Sequence, residues 1–304
     1  MSATVARRWV VVRWLPWRKH ASAETNAMDY RRKFIVEPGS KVKLDKIDAS
    51  YTGEHRTREQ ALPETEQHCG RLRDLQYLMY AEDGRSLLVC LQAMDAGGKD
   101  GTIRHVIGAM NPQGCTVHGF KQPTAEEAAH DFLWRVHAAC PRRGRVAVFN
   151  RSHYEDVLIV RVHDLVPKEM WSRRYDAINA FERQLAENGT HILKFYLHIS
   201  KDEQLARFRQ RLDDPARHWK ISEADYAERA LWDDYVEAYQ DALSRCSTVY
   251  APWFVIPANR KWFRNLAVSQ IIADTLAGLG MSFPKPTIDI AEIRKKYHAA
   301  EKAA

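Results

Sequence analysis

Short apolar runs alternate with longer amphipathic segments through most of the chain. Runs with the length of strands lie at 86–94, 115–119, 145–150, 190–199 and 250–257. Apolar residues at helical spacing before and between them predict helices at 64–82, 101–110, 124–139, 154–162, 168–188, 200–212, 223–244 and 260–279. Strands that alternate with helices favour a three-layer α/β fold, in which a parallel sheet carries helices on both faces.

The two ends of the chain lack this alternation. Segment 1–28 concentrates basic residues, which predicts a flexible basic extension. Residues 29–70 are polar with weak periodicity, so 29–82 is predicted to form an irregular arm that leads into the first helix. The predicted core spans 83–286. A charged helix after Pro286 is predicted to form a peripheral tail over 287–304.

Composition narrows the class of protein without changing this fold. The chain has 304 residues, of which 45% are hydrophobic and 28% charged, as in a globular protein with a sizeable core. No window approaches the roughly 18 consecutive apolar residues of a membrane-spanning helix. The five cysteines are widely spaced and form no CxxC pair, which favours the reducing cytoplasm. The net charge of +7 indicates an anionic partner only if the charges converge on one site.

A glycine-rich loop after the first predicted strand carries the most informative chemistry. Leu91–Ile103 has the sequence LQAMDAGGKDGTI and joins a strand to a helix, which is the context of a phosphate-binding loop. Gly97, Gly98 and Gly101 allow backbone amides to turn toward a ligand, and the start of a helix adds partial positive charge. Lys99 supplies a mobile cation for phosphate oxygens.

The loop departs from the common GxxxxGK[ST] pattern in two places. Ala93 replaces the first glycine, and Asp100 replaces the hydroxyl residue that normally holds magnesium. A glycine-rich turn with a chance lysine is therefore the alternative interpretation. Asp95 inside the loop would repel phosphate unless a metal or a proton mediates, so it suggests magnesium binding or acid–base chemistry.

A polar cluster follows the third predicted strand. Ligands of open α/β sheets bind at the carboxyl ends of the strands, so this cluster should face the same crevice as the glycine-rich loop. Its members are Asn150, Arg151, Ser152, Tyr154 and Glu155, with His153 among them. Helix capping is the alternative role for Asn150 or Ser152. Arg151 is suited to clamp a phosphoryl group.

A basic helix, a break and a second helix follow between residues 204 and 229. The basic residues are Arg207, Arg209, Arg211, Arg217 and Lys220. Asp214–Pro215 ends the first helix, and Ser222 begins the second with Asp225 three positions later. This order is typical of a mobile lid at about 205–229 that closes on phosphates. A solvated basic helix face is the simpler alternative.

Together these segments resemble the polyphosphate kinase type 2 family. The similarity runs from about Gly39 to Pro286. It is strongest in AMDAGGKDGTI (93–103), NPQG (111–114), FKQPT (120–124), FNRSHYEDVL (149–158), LKFYLHIS (193–200), DPARHWK (214–220) and WFVIPANRKWFRN (253–265). The order and spacing of these motifs make the resemblance specific.

The resemblance implies a P-loop kinase fold like that of thymidylate kinase, with a helical lid and a cytoplasmic homo-oligomer (dimer or tetramer). It implies reversible, magnesium-dependent transfer of phosphoryl groups from inorganic polyphosphate to AMP, ADP or both, giving ADP and ATP. Manganese is the alternative ion, and guanine nucleotides are alternative acceptors. The runs KDG and NRSxYED resemble the subgroup that acts on both AMP and ADP.

By position, Asp95 and Lys99 correspond to the family's Walker A loop, and Asn150 and Arg151 to its Walker B segment. Many relatives have aspartate where this chain has Asn150, so Asp95, Asp100 and Glu155 remain alternative metal ligands. We expect catalysis by Asp95, Lys99 and Arg151. The expected nucleotide- and phosphate-binding residues are Ala96, Gly97, Gly98, Asp100, Gly101, Thr102, Arg104, Lys121, Asn150, Ser152, Tyr154, Glu155, Arg207, Arg211 and Lys220.

Two other functions compete with this interpretation. One is an ATP-dependent kinase of small molecules or nucleotides on the same fold. The aspartates inside and after the loop argue against it, because ordinary ATP-binding loops have neutral residues there. The other is a basic nucleic-acid-binding protein that uses the N-terminal extension and the lid. The aromatic residues are not interleaved with basic ones as a stacking platform would need, so nucleic acid is not the expected partner.

Overall fold

The computed structural model describes residues 28–303, so the predicted extension at 1–28 lies outside the described residues apart from Met28. The strands are β1 (Ser86–Gln92), β2 (Cys115–Gly119), β3 (Val146–Asn150), β4 (Thr190–His198) and β5 (Trp253–Pro257). The α-helices are α1 (Tyr30–Phe34), α2 (Arg58–Glu82), α3 (Lys99–His105), α4 (Ala125–Ala128), α5 (Trp134–Ala139), α6 (Ile159–Val162), α7 (Lys168–Glu187), α8 (Lys201–Leu212), α9 (Glu223–Ala230), α10 (Trp232–Cys246), α11 (Lys261–Ala277) and α12 (Ile290–Ala303).

The five strands form one parallel sheet in the order β2-β3-β1-β4-β5. Strand β1 lies at the centre and is buried along its whole length. Leu91 at the end of β1 pairs with Asn150 at the end of β3. This register brings the glycine-rich loop and the polar cluster after β3 to the same edge of the sheet, as the sequence predicts.

Alternate residues of β1 contribute to two apolar clusters. Leu88 and Cys90 join a cluster that contains Phe181 of α7. Leu87 belongs to the larger cluster, which contains Leu72 of α2 and many residues of α11. Helices thus cover both faces of the sheet, which confirms the predicted three-layer α/β fold.

The N-terminal arm is part of the core, which its weak periodicity did not predict. Tyr30 is 2% exposed and packs edge-on against Phe263 of α11. Ile35 forms an antiparallel bridge with Phe254, and the Val36 amide donates to the carbonyl of Trp253. The arm thereby pairs with β5 along its otherwise open edge.

Several predicted helices are divided or shifted. The predicted helices at 101–110, 124–139, 154–162 and 223–244 each contain a break. In the predicted helix at 223–244, the break is at Leu231, which separates α9 from α10. Helix α2 begins at Arg58 rather than at 64, because Thr57 caps it by accepting a hydrogen bond from the Gln60 amide. The predicted tail helix is present as α12 and has no buried residue. Within residues 28–303, no helix has the length and apolar character that crossing a bilayer requires.

Candidate active site

The glycine-rich loop turns sharply between β1 and α3. The Gly97 amide donates to the carbonyl of Met94, and two residues have left-handed backbone, Ala96 at φ +59° and Gly98 at φ +105°. Lys99 opens α3, and its Nζ donates to the carbonyl of Ala93 at 3.2 Å. Burial lowers the pKa of Lys99 despite the nearby Asp95. The loop therefore holds a partly desolvated cation in the wall of the site.

Arg151 leaves β3 in a strained conformation. Its φ is +62°, which non-glycine residues seldom adopt and which is often found at functional sites. Its amide donates to the carbonyl of Leu91, so the backbone is fixed to β1. Its Nη2 lies 3.5 Å from Oδ1 of Asp95. Burial lowers the pKa of Arg151, but Glu155 and Asp95 outweigh that effect and raise it.

A hydrogen-bonded triplet joins the loop, β3 and the predicted lid. Asp100 accepts from Nδ2 of Asn150 at 2.9 Å and from Nζ of Lys220 at 3.3 Å. Burial raises the pKa of Asp100, but these two donors outweigh it and lower the value. An aspartate at 150 would place a second carboxylate against Asp100 instead of a donor. Asn150 is therefore suited to hold Asp100 in its charged form.

Three predicted site residues have side chains that are buried and bonded within the protein, and these side chains do not face the crevice. Thr102 is fully buried, with its hydroxyl bonded to the Gly98 carbonyl. Ser152 caps a 3₁₀ helix by accepting from the Tyr154 amide. The Tyr154 hydroxyl donates to Glu182, because the 3₁₀ helix turns this ring away from the sheet edge into the core. His153 is also buried and bonds Glu182 through Nε2 at 3.1 Å.

Tyr154 and His153 belong to a buried ionic cluster behind the site. Lys194 of β4 donates to Glu182 at 2.6 Å, to the Tyr154 hydroxyl at 2.8 Å and to the Cys246 carbonyl at 2.6 Å. Burial raises the pKa of Glu182, but Lys194 and the hydrogen bond from His153 outweigh it and lower the value. This cluster anchors the segment that carries Arg151 and Glu155.

Arg207 was predicted to bind phosphate from the lid, but its donors are occupied by protein. It is 4% exposed and donates to the Glu203 carboxylate and to the carbonyls of Ala96, Ala258 and Asn259. Arg207 therefore braces the glycine-rich loop against β5, and its contribution to the site is structural.

A cavity of about 1590 Å³ opens above the glycine-rich loop. The basic residues in its wall outnumber the acidic ones by eleven to four. The basic ones are Arg58, Lys99, Arg104, Lys121, Arg151, Arg207, Arg211, Arg217, Lys220, Lys261 and Arg264, and the acidic ones are Glu66, Asp95, Asp100 and Asp214. Positive charge thus converges on this cavity, which suits a polyanion.

A second cavity of about 270 Å³ lies on the other side of Arg151. Its wall is acidic and aromatic, and α9 and α10 contribute to it. Its side chains with polar or aromatic groups are Asp95, Arg151, Glu155, Gln204, Ser222, Asp225, Glu228, Trp232, Tyr235 and Tyr239. Asp95 and Arg151 are the residues common to both walls. They therefore border both the basic cavity and the smaller one.

The two walls account for most of the predicted site. The large cavity includes Asp95, Ala96, Gly97, Gly98, Lys99, Asp100, Gly101, Arg104, Lys121, Asn150, Arg151, Arg207, Arg211 and Lys220. Glu155 lies in the second wall instead, where it accepts from Nε2 of Gln92. At the predicted lid position, helix α8 contributes to both walls, the turn after it lines mainly the large cavity, and α9 lines the small one.

Sequence reasoning missed Lys261 and Arg264 in the large cavity and the tyrosines of α10 in the small one. Arg264 did carry a signal, since a lone arginine interrupts the apolar run of α11 and the helix buries it. Tyr235 and Tyr239 gave no comparable signal, because tyrosines four apart on an amphipathic helix are usually core.

The strand order and the glycine-rich loop at the carboxyl edge of β1, beside a basic cavity, define a P-loop kinase-type protein built for phosphoryl groups. The profile described as Polyphosphate kinase 2 (PPK2) matches residues 55–282. The chain belongs to the polyphosphate kinase 2 family, as the motifs of its sequence indicate.

Relatives agree with this assignment along most of the chain. An AMP/ADP-polyphosphate phosphotransferase of Meiothermus ruber is 52% identical over 256 residues, which cover 84% of this chain and 96% of that protein. An ADP-polyphosphate phosphotransferase of Rhodopseudomonas palustris is 47% identical over 272 residues, covering 84% and 93%. The crystal structure of polyphosphate kinase 2 from Arthrobacter aurescens superposes with a TM-score of 0.87 at 45% identity, covering 92% of this chain and all of that one.

Proposed function

We propose that this protein transfers phosphoryl groups from inorganic polyphosphate to AMP and ADP, giving ADP and ATP, and that the reaction is reversible. The main support is the pair of cavities that share Asp95 and Arg151. Polyphosphate carries about one negative charge per phosphate and suits the basic cavity. The activities for which the two relatives are named support the choice of AMP and ADP as acceptors.

The acceptor nucleoside would occupy the smaller cavity. Tyr235 offers aromatic surface there beside the buried Tyr239. Glu228, which also accepts from the Tyr235 hydroxyl, offers a carboxylate to an exocyclic amino group. The acceptor phosphate would then lie at Arg151, in line with the end of the polyphosphate chain. Guanine nucleotides would fit the same arrangement as alternative acceptors.

Phosphoryl transfer depends on positioning and on neutralising charge rather than on covalent protein chemistry. In this proposal Lys99 and Arg151 stabilise the charge that develops on the transferring group. Arg104, Lys121, Arg211 and Lys220 hold the rest of the chain of phosphates. Asp100 keeps Lys220 of the lid against the loop.

The donor set also suits a magnesium ion held jointly with substrate. No cluster of three or more metal-ligating side chains exists among residues 28–303, but Mg²⁺ commonly uses one or two carboxylates together with substrate phosphates. Asp95 is the best candidate, since Asp100 is engaged by Asn150 and Lys220. When bound, Mg²⁺ (or Mn²⁺) would neutralise phosphate charge between the two cavities. A homo-oligomer remains a prediction.

The test is a direct assay of products. Purified protein is mixed with magnesium and long-chain polyphosphate, AMP or ADP is added separately, and the adenine nucleotides are followed by ion-exchange chromatography. ATP from both acceptors would support the full proposal, and ATP from ADP alone would restrict it to one acceptor. If neither yields product while ATP is consumed with other small molecules, the protein is an ordinary kinase on this fold.

The glycine at the loop's tightest turn provides a second test. We expect Gly98→Ala to lower the affinity for tripolyphosphate at least about tenfold. The backbone there has φ +105°, and a Cβ would lie 1.9 Å from Nη1 of Arg264, so the loop or the Arg264 guanidinium beneath it must shift. Calorimetric titration of the wild type and the variant with tripolyphosphate measures the two affinities.

Gly39→Ala is the matched control for that variant. Gly39 has a comparable φ of +79°, but nothing lies within 4 Å of its added Cβ. Gly39→Ala should therefore carry the backbone strain alone and bind tripolyphosphate as the wild type does. Equal affinities in all three proteins would show that the geometry of the loop at Gly98 does not govern phosphate binding.

A further inference from the structure

Arg264 is a buried arginine beneath the glycine-rich loop. It lies on α11 between residues that belong to the apolar core, such as Phe263 and Leu266, and it is only 2% exposed. Its guanidinium packs against the loop where two glycines leave room for it. A Cβ on Gly98 would lie 1.9 Å from Nη1, and a Cβ on Gly101 would lie 2.9 Å from Nη2.

The guanidinium has no anionic partner among residues 28–303. Its Nε and Nη2 both donate to Oδ1 of the neighbouring Asn265, at 3.1 and 2.8 Å, and that acceptor is a neutral amide. No hydrogen bond within the described chain uses Nη1. Burial, and secondarily Arg207, lower the pKa of Arg264 to about 9. A buried charge without a counter-charge is costly, so a protein seldom keeps one without a use.

The neighbouring Arg207 shows which hydrogen-bond partners a purely structural arginine has beneath this loop. Arg207 pairs with Glu203 and fills its remaining donors with three backbone carbonyls. Within the described chain Arg264 has neither a carboxylate nor a backbone carbonyl partner, although it is equally buried. Because Nη1 is the atom next to Gly98 and Arg264 lies in the wall of the large cavity, its unused donors face the place where the loop would hold phosphate.

We propose that Arg264 is a donor-binding residue whose Nη1 donates to a phosphate oxygen of polyphosphate at Gly98. The inference rests on the proposed function and adds to it a residue that acts on the phosphate donor only. Arg151 borders both cavities and acts on the transferring group, whereas Arg264 acts on the donor chain within the large cavity. Arg264 is outside the wall of the smaller cavity, so it should affect the donor and leave the acceptor nucleotide unaffected.

This role requires the forked shape of the guanidinium as well as its positive charge. Its fork allows Nε and Nη2 to hold Asn265 while Nη1 remains available, whereas an ammonium group has a single nitrogen. Asn265 thus orients the guanidinium, and lysine cannot reproduce both contacts. Arg264→Lys should therefore recover only part of what Arg264→Gln loses.

Steady-state kinetics and direct binding test the proposal together. In Arg264→Gln we expect the KM for polyphosphate to rise at least tenfold, while the KM for ADP stays within about twofold. Tripolyphosphate affinity, measured by calorimetry without nucleotide, should fall by a similar factor. Arg209→Gln is the matched control, because Arg209 is on α8, is 84% exposed and pairs only with Asp213 within the described chain. It removes the same charge and should change neither quantity.

The outcomes separate the inference from the function on which it rests. A folded Arg264→Gln with wild-type KM for polyphosphate and wild-type tripolyphosphate affinity would overturn the role of Arg264 while the proposed function stands. If the wild type does not use polyphosphate at all, the proposed function itself fails. That result is seen in the wild-type assay alone, so it differs from a variant that matches an active wild type. Should Arg264→Gln not fold, Arg264→Lys decides: an intermediate loss of tripolyphosphate affinity supports the proposal, and full affinity overturns it.

Discussion

Replacing Arg151 with alanine should lower the rate of phosphoryl transfer at least about a thousandfold while the protein stays folded. Arg151 lies in the wall of both cavities, and its backbone is fixed to β1. A cation fixed at the point of transfer stabilises charge that develops only in the transition state, and single groups of this kind contribute about 10³-fold or more. Lys99→Ala should have a comparable effect, since Lys99 lies in the loop on the other side of Asp95.

The measurement is kcat with AMP and with ADP, accompanied by the thermal unfolding midpoint. Alanine carries the same left-handed backbone strain as Arg151, so the substitution adds no backbone strain, and a change in stability should not explain the kinetic effect. Arg143→Ala is a suitable control, because this exposed arginine precedes β3 at the opposite end of the strand. Turnover within tenfold of the wild type for Arg151→Ala would rule out the assigned role.

The pattern of strands and loops predicted where the site lies. A buried strand followed by glycines, and a second one followed by polar residues, must end at the same sheet edge if the strands are parallel. The pairing of Leu91 with Asn150 shows that this inference is sound. Most predicted phosphate-binding residues therefore line one cavity, because the sheet brings together loops that lie far apart in the sequence.

The direction of individual side chains after β3 could not be predicted. Arg151 and Glu155 face the cavities, whereas Ser152 and Tyr154 between them are buried. The segment is a 3₁₀ helix rather than a strand or an α-helix, so neither period assigns its faces. The buried partner of Tyr154 is Glu182 on α7, and only tertiary packing brings that residue near.

The arm and the two buried arginines illustrate a second limit. Helix α1 has only five residues, too few for periodicity to reveal that Tyr30 and Phe34 are buried. Arg207 and Arg264 each lie on a helix beneath the glycine-rich loop, and the sequence favoured Arg207 because other basic residues surround it. Which of them is neutralised by a carboxylate depends on packing: Glu203 pairs with Arg207, and no acid within the described chain pairs with Arg264.

The largest effect on stability should come from the buried ionic cluster behind the site. In Lys194→Met we expect the free energy of unfolding at neutral pH to fall by about 3–5 kcal/mol, because Glu182 is left as a buried charge without its cation. Denaturant unfolding measures the loss. The double variant Lys194→Met/Glu182→Gln should recover much of it, since it removes both charges together. Lys168→Met, at the exposed start of α7, should have no comparable effect.

The pH dependence distinguishes a lost ion pair from a packing defect in Lys194→Met. In the wild type the pKa of Glu182 is lowered, so the pairing stabilises the fold above the ordinary glutamate pKa of about 4.3 and is lost as pH falls through the lower folded value. In the variant, burial without Lys194 should raise the pKa of Glu182, and its penalty disappears once the carboxyl is protonated. The difference in unfolding free energy between the two proteins should therefore shrink as the pH falls from 7 toward 4. A difference that stays constant over that range would mean that lost packing, and not the unpaired carboxylate, destabilises the variant.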